Sequence, residues 1–265
     1  GVGNIGRDIA RFMVDKGVII TGAIDLRNVG KDLGDVIGLG RKLNVEISDN
    51  ADEVLSQTAA DIALIAVATS MEKIYPHVKK CLEAGLNVIT TSEEASYPWT
   101  SSPAIAAKLD RIAKENGVTV TGSGMQDVFW ANLITTLTGA SHRIESVEGR
   151  TMINMDELGP MVAEFYAVGR KADDIYEMIE KKEKLPLGDE VVCLRMDLEN
   201  QISDLGLTTK TITESVKPII LDHDLPCKAF KKNIPAGDVT GLDNTIVIET
   251  VEGILFKATQ TAKVY

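Results

Sequence analysis

Short apolar runs alternate with amphipathic segments along the first 125 residues. After Gly6, apolar residues from Ile9 to Met13 recur at helical spacing and stop at Gly17, which predicts a helix with a glycine just beyond its end. Apolar runs predict strands at 18–25, 61–69, 86–91 and 118–124, and helical patterns lie between them at 71–85 and 103–117. This alternation predicts a doubly wound parallel sheet.

The pattern changes after Gly124. Helical patterns cover 127–139 and 159–188, whereas longer segments of alternating polarity predict strands at 143–155, 190–202, 213–221 and 244–265. We therefore expect an α/β protein with two domains. Residues 1–128 form a Rossmann-type domain, and residues 129–265 form a second α+β domain built on an open mixed sheet.

The chain begins with GVGNIG, in which three glycines fit the G-x-G-x-x-G spacing of a dinucleotide-binding turn. Asp25 follows Gly6 by 19 positions at the end of the next predicted strand. That is where the dinucleotide fingerprint places a carboxylate that binds the adenosine ribose hydroxyls. The sequence thus predicts an NAD or NADP site formed by Gly1, Gly3, Asn4, Ile5, Gly6 and Asp25.

Arg27 lies two residues beyond Asp25 and leaves the choice of cofactor open. Its side chain fits either a contact to the 2′-phosphate of NADP or a solvated loop charge. Because a strand normally precedes such a glycine turn, we expect the first strand of the sheet to be missing before Gly1. The last strand-like run reaches Tyr265, so we also expect the C-terminus to be cut.

Polar residues follow two predicted strands whose carboxyl ends should meet at one edge of the sheet. Thr69 and Ser70 end the first of these strands and suit either contacts to the nicotinamide ribose or a helix cap. Glu93 and Glu94 follow the second strand, and on extended backbone only one of them would face the cleft. Two interpretations remain: one of these glutamates is a catalytic carboxylate, or both merely begin the helix that follows the strand.

Four segments together resemble the family of 2,4-diaminopentanoate dehydrogenases and native amine dehydrogenases. They are GVGNIG, KDLGDVIGLG, CLEAGLNVITTSEEASYPW and GVTVTGSGMQDVF, within residues 1–130. The resemblance implies NAD(P)-dependent oxidative deamination of an amine or a diamino acid such as 2,4-diaminopentanoate, and the reverse reductive amination with ammonia. It also implies that a glutamate after the strand is catalytic. We favour Glu94 over Glu93, because related dehydrogenases place their reactive side chain at this second position.

Several residues could form a substrate pocket, although aromatic side chains also serve as plain core. The expected pocket residues are Trp99, Met125, Gln126, Phe129 and Tyr166. Family members usually carry an asparagine and a proline where this chain has Met125 and Gln126. This departure puts an amide contact to the substrate in doubt and suggests an altered substrate preference.

Two related enzymes fit the sequence less well. Dihydrodipicolinate reductases need paired histidines, and this chain has no His-His pair. Homoserine dehydrogenases place a lysine where this chain has Glu93 and Glu94. A non-catalytic NAD(P)-binding module remains as a further alternative, since a fold alone does not fix function.

The formal net charge of −11 disfavours nucleic acid as a partner. Cys81, Cys193 and Cys227 are far apart and lack nearby histidines, which argues against a metal site and favours reduced thiols in the cytoplasm. No apolar run approaches the ~20 residues of a membrane span. We expect a cytoplasmic homodimer that acts on small molecules.

Overall fold

The structure is a computed structural model that describes residues 1–124, 126–181 and 190–265, with the side chains of 126–127 and 190–193 left aside. The chain divides into two compact units, Gly1–Asp127 and Val128–Tyr265, which we call unit one and unit two. Within the described residues, no helix combines the length and the apolar character needed to cross a membrane.

Unit one alternates strands and helices. Its helices are α1 (Asn4–Asp15), α2 (Leu33–Val36), α3 (Ala51–Gln57), α4 (Met71–Glu83), α5 (Pro98–Ser101) and α6 (Pro103–Asn116). Its strands are β1 (Ala23–Ile24), β2 (Ile47–Ser48), β3 (Ile62–Ile65), β4 (Asn87–Thr90) and β5 (Val120–Gly122). Strands β3, β4 and β5 pair in parallel, as do β1 and β2, so the predicted parallel α/β fold is confirmed.

Helices α4 and α6 bury apolar stripes in one core cluster. Ile74, Val78 and Leu82 recur every four residues along α4, and each is at most 1 % exposed. They share the cluster with Leu109 of α6 and with residues of β3 and β4. This core fixes the N-terminus of α4 beside the ends of two strands.

Unit two is built on a four-stranded mixed sheet. Helical segments are the π-helix Gln126–Leu133, which begins in unit one, α7 (Ile134–Gly139), α8 (Met155–Leu158), α9 (Pro160–Phe165), α10 (Ala172–Glu180) and α11 (Glu190–Asp204). Strands are β6 (Ser146–Asn154), β7 (Thr209–Ile220), β8 (Leu225–Cys227), β9 (Lys232–Ile234), β10 (Val239–Thr250) and β11 (Leu255–Lys263). The order β6-β11-β10-β7, with only β6 and β11 parallel, confirms the predicted open mixed sheet.

The sequence pattern predicts a strand over 190–202, and this prediction is wrong because the segment lies in helix α11. Leu194, Met196 and Leu198 alternate with polar residues, which fits the strand period of two. Leu194, Leu198 and Ile202 are also four residues apart, which fits a helix. Leu194, Leu198 and Ile202 are buried in one cluster with residues of the sheet, and burial of this stripe favours the helix over the strand.

Gly149 of β6 packs against the ring of Trp130. A Cβ atom at Gly149 would lie 2.0 Å from Trp130 Cζ3 and 2.3 Å from its Cη2, well inside van der Waals contact. Gly149→Ala should therefore destabilise the protein by about 1–3 kcal/mol through overpacking, measured by thermal or urea denaturation. At Gly139 an added Cβ would meet only Leu205 Cδ2, at 3.6 Å. Gly139→Ala should leave stability equal or higher, and equal effects of the two substitutions would refute this packing argument.

Candidate active site

The glycine turn leads directly into α1. A Cβ at Gly6 would lie 1.9 Å from the carbonyl oxygen of Gly1, and one at Gly1 would lie 2.8 Å from that of Ala66, so both positions require glycine. Around Gly3, by contrast, no atom of the described residues lies within 4 Å of an added Cβ. Gly3 also precedes α1 without any side-chain cap. The open space and the free N–H groups fit the pyrophosphate of a dinucleotide.

Asp25 lies at the end of β1, and the structure brings it to the glycine turn. The backbone N–H of Val2 donates to Asp25 Oδ2 at 2.5 Å, and that of Arg27 donates to Oδ1 at 2.7 Å. Burial alone would raise the pKa of Asp25, but these two donors and the Arg27 charge outweigh it and hold the pKa below its usual value. Asp25 is therefore an ionised acceptor, while the side chain of Arg27 is exposed.

The carboxyl ends of β3 and β4 meet through Thr69. Its carbonyl oxygen accepts hydrogen bonds from the Ser92 hydroxyl at 2.5 Å and from the Glu94 N–H at 3.2 Å. Ser70 is the residue before α4, and its side chain makes no capping hydrogen bond. Both Thr69 and Ser70 are half-buried at this edge of the sheet.

Glu94 is held by hydrogen bonds to both carboxylate oxygens. The N–H of Met71, the first residue of α4, donates to Oε2 at 2.6 Å. The hydroxyl of Ser102, just before α6, donates to Oε1 at 2.6 Å. The carboxylate thus occupies the capping position that Ser70 leaves open, where the positive end of the α4 dipole favours a negative charge.

Glu93 and Glu94 do not lie on extended backbone. They open a 3₁₀ turn, Glu93–Ser96, so the expectation that neighbouring side chains point to opposite sides of a strand does not apply. Glu93 is half-buried, with its Oε2 shielded from solvent. Glu93 and Glu94 therefore begin a helical turn after the strand, as the structural alternative expected, and Glu94 also caps the preceding helix α4.

The expected pocket residues are distributed over both units. Trp99 in unit one is 54 % exposed, and Phe129 in unit two is 46 % exposed. Tyr166 belongs to the core of unit two, 1 % exposed, and donates from its hydroxyl to Gln260 Oε1 at 3.0 Å. Met125 and the side chain of Gln126 lie outside the described residues.

Sequence reasoning missed Ser102. The Ser-Pro pair at 102–103 is typical of a helix start, and that signal alone could have marked the residue. The contact between its hydroxyl and Glu94 had no sequence signal. Within the described chain, no group of three or more histidine, cysteine or acidic side chains is arranged to hold a metal ion.

The chain is similar to known oxidoreductases. Residues 1–123 match the oxidoreductase family with an NAD-binding Rossmann fold. The chain is 29 % identical over 251 residues to 2,4-diaminopentanoate dehydrogenase from Acetoanaerobium sticklandii, covering 91 % of this chain and 68 % of that protein.

Two solved structures extend the comparison. The amine dehydrogenase from Mycobacterium smegmatis is 40 % identical, with a TM-score of 0.83 over 100 % of this chain and 78 % of that one. GenD2 from gentamicin A biosynthesis, solved in complex with NAD, is 15 % identical with a TM-score of 0.56 over 98 % of this chain and 64 % of that one. The second likeness concerns the fold alone.

Asp25→Asn tests the ribose contact. The amide keeps one acceptor for the Val2 N–H but loses the charge, so we expect NAD affinity to fall about 10-fold or more. NADP affinity should fall less, because loss of the anion relieves repulsion of the 2′-phosphate. Both dissociation constants can be measured by fluorescence titration. Arg27→Ala is the matched control for the 2′-phosphate, and unchanged affinities for both cofactors in Asp25→Asn would contradict the assignment.

Proposed function

This chain belongs to the amine dehydrogenase family, and from that premise we propose that Glu94 is the carboxylate on which its reaction depends. The protein is an NAD(P)-dependent oxidoreductase that acts on CH–NH₂ donors. In the oxidative direction an amine, NAD(P)⁺ and water give a carbonyl compound, ammonia and NAD(P)H. When bound, NAD(P)⁺ would supply the acceptor for the hydride that leaves the carbon bearing nitrogen.

Different residues of unit one bind different parts of the dinucleotide. Gly1, Gly3 and Gly6, with the backbone of Asn4 and Ile5, hold the pyrophosphate at the N-terminus of α1. Asp25 accepts hydrogen bonds from the adenosine ribose, with Arg27 beside it. Thr69 and Ser70 contact the nicotinamide ribose from the edge of the sheet.

The oxidative chemistry requires an anion near the reacting carbon. A protonated amine cannot release hydride, because the nitrogen lone pair must form the C=N bond as the hydride leaves. Glu94 takes a proton from the ammonium and releases it to solvent, so that the regenerated carboxylate stabilises the iminium cation by its charge. It then accepts a proton from the water that attacks the iminium carbon and returns that proton to the nitrogen, which leaves as ammonia. In reductive amination the same steps run in reverse.

The observation that supports this role is the fixed position of the Glu94 carboxylate. Hydrogen bonds from Met71 N–H and Ser102 Oγ, both of 2.6 Å, hold it at the carboxyl edge shared by β3 and β4. In open α/β sheets this edge is where ligands bind. Because the anion is oriented before substrate arrives, little reorganisation is needed when positive charge develops on nitrogen.

We also propose a substrate class, a cellular location and an oligomeric state for the enzyme. Its substrate is an amine or a diamino acid of the kind named for the relative from Acetoanaerobium sticklandii. Buried free thiols at Cys81 and Cys227 support a reducing, cytoplasmic location. Exposed apolar side chains at Met152, Leu158 and Met161 of unit two support association into a homodimer.

Glu94→Gln tests the catalytic charge. Glutamine keeps an acceptor for the Met71 N–H, so the fold and the thermal midpoint should be retained while kcat for amine oxidation falls about 10²–10⁴-fold. Cofactor affinity should stay nearly unchanged, because the group acts on the reacting centre. Glu93→Gln is the matched control and should reduce kcat only mildly. The reverse order of effects would move the role to Glu93, and normal turnover in both variants would remove the carboxylate mechanism.

Ser102→Ala tests how the carboxylate is positioned. Loss of a hydrogen bond to a charged group is worth about 1.5–3 kcal/mol, so kcat should fall about 10-fold while cofactor affinity stays constant. Ser102→Thr restores the hydroxyl and should recover most of the rate. A purely structural contribution would instead lower the thermal midpoint equally in the alanine variant without changing kcat per folded enzyme.

A further inference from the structure

A cavity of about 250 Å³ lies inside unit two, between β6, α11 and the helical segment 129–134. Its walls are largely apolar and come from Phe129, Trp130, Ile134, Val147 and Leu198. The rings of Phe129 and Trp130 meet edge to face, with centroids 5.8 Å apart. Such walls suit the carbon skeleton of a small molecule.

Two polar side chains that line this cavity have no hydrogen-bond partner among the described residues. Gln201 of α11 is only 1 % exposed, and both its Nε2 and its Oε1 are buried and unpaired. The Oγ1 of Thr151 on β6 is likewise buried without a partner. An unpaired buried amide is costly, and the great majority of such groups in proteins are satisfied by protein, water or ligand.

Beyond the cavity, polar residues continue as a row across the sheet. Thr151 of β6 is in register with Gln260 of β11, which is in register with Asn244 of β10. In-register neighbours share a face of the sheet, so the three side chains stand side by side. Asn244 is 1 % exposed, and both of its amide atoms lack a partner among the described residues. The row on this face therefore joins two half-buried polar residues, Thr151 and Gln260, to the fully buried Asn244.

Charge at the cavity defines what it can hold. The lining groups that are buried and polar are an amide and a hydroxyl, both neutral. Three charged side chains also line the cavity: Arg150 is exposed, and Glu148 and Lys257 pair with each other at 3.7 Å, with side chains 57 % and 39 % exposed. A charged ligand would therefore lose hydration without gaining a buried counter-charge.

We propose that this cavity binds a small uncharged molecule with an apolar body and a head group that both donates and accepts hydrogen bonds. Gln201 has one donor and one acceptor face to offer, which matches a primary amide or an alcohol. Thr151 adds a hydroxyl to the cavity lining. The proposal concerns unit two alone and holds whether or not Glu94 has the catalytic role described above.

Hexanamide is the probe, and hexanoate is its charged counterpart of equal length. In titration calorimetry on the full chain, the affinity for hexanamide should be at least about 10-fold higher than that for hexanoate. Gln201→Leu should weaken hexanamide about 10-fold or more, and it should raise the thermal midpoint of the free protein because an unpaired buried amide is removed. Thr151→Val is a second, smaller change and should weaken hexanamide several-fold.

Asn244→Leu is the matched control, since Asn244 is an equally buried unpaired amide that does not line the cavity. It should leave the affinity for hexanamide within about twofold. Equal affinities for hexanamide and hexanoate would overturn the proposal. Unchanged hexanamide affinity in both Gln201→Leu and Thr151→Val would overturn it as well, as would absence of binding to the unmodified protein.

Discussion

Two hydrogen bonds to one carboxylate organise the edge of unit one where we propose that the reaction takes place. Met71 N–H and the Ser102 hydroxyl donate to the two oxygens of Glu94, each at 2.6 Å. Helices α4 and α6 are thereby joined to the turn that follows β4. Because α4 and α6 also share a buried core, the charge of Glu94 is fixed by the same packing that stabilises the fold.

The glycine turn applies a second constraint at the neighbouring strand ends. Gly6 approaches the carbonyl of Gly1 so closely that no side chain fits, and the Val2 N–H binds the carboxylate of Asp25. The proposed cofactor cradle and the Glu94 carboxylate therefore both belong to the α/β fold of unit one. The chain belongs to the amine dehydrogenase family, and the role proposed for Glu94 follows from the chemistry of taking a hydride from a carbon that bears nitrogen.

The parts of the fold with simple periodicity could be predicted from the sequence. Parallel strands follow from continuous apolar runs, and α6 ends where Gly117 adopts φ of 66°. Helix α11 could not be predicted, because Leu194 and Leu198 fit both the strand period and the helix period. Only their burial against the sheet, which the sequence does not show, distinguishes the two. Contacts such as that of Ser102 with Glu94 depend on tertiary geometry and leave no periodic signal.

In the proposed mechanism, hydride transfer depends on the negative charge of Glu94. The direct measurement mixes an amine with cofactor-saturated Glu94→Gln enzyme and monitors a single turnover of NAD(P)H formation by nicotinamide fluorescence. This measures hydride transfer without product release. We predict a burst slowed by about 10²–10⁴-fold relative to the unmodified enzyme. A burst at the unmodified rate would contradict the account.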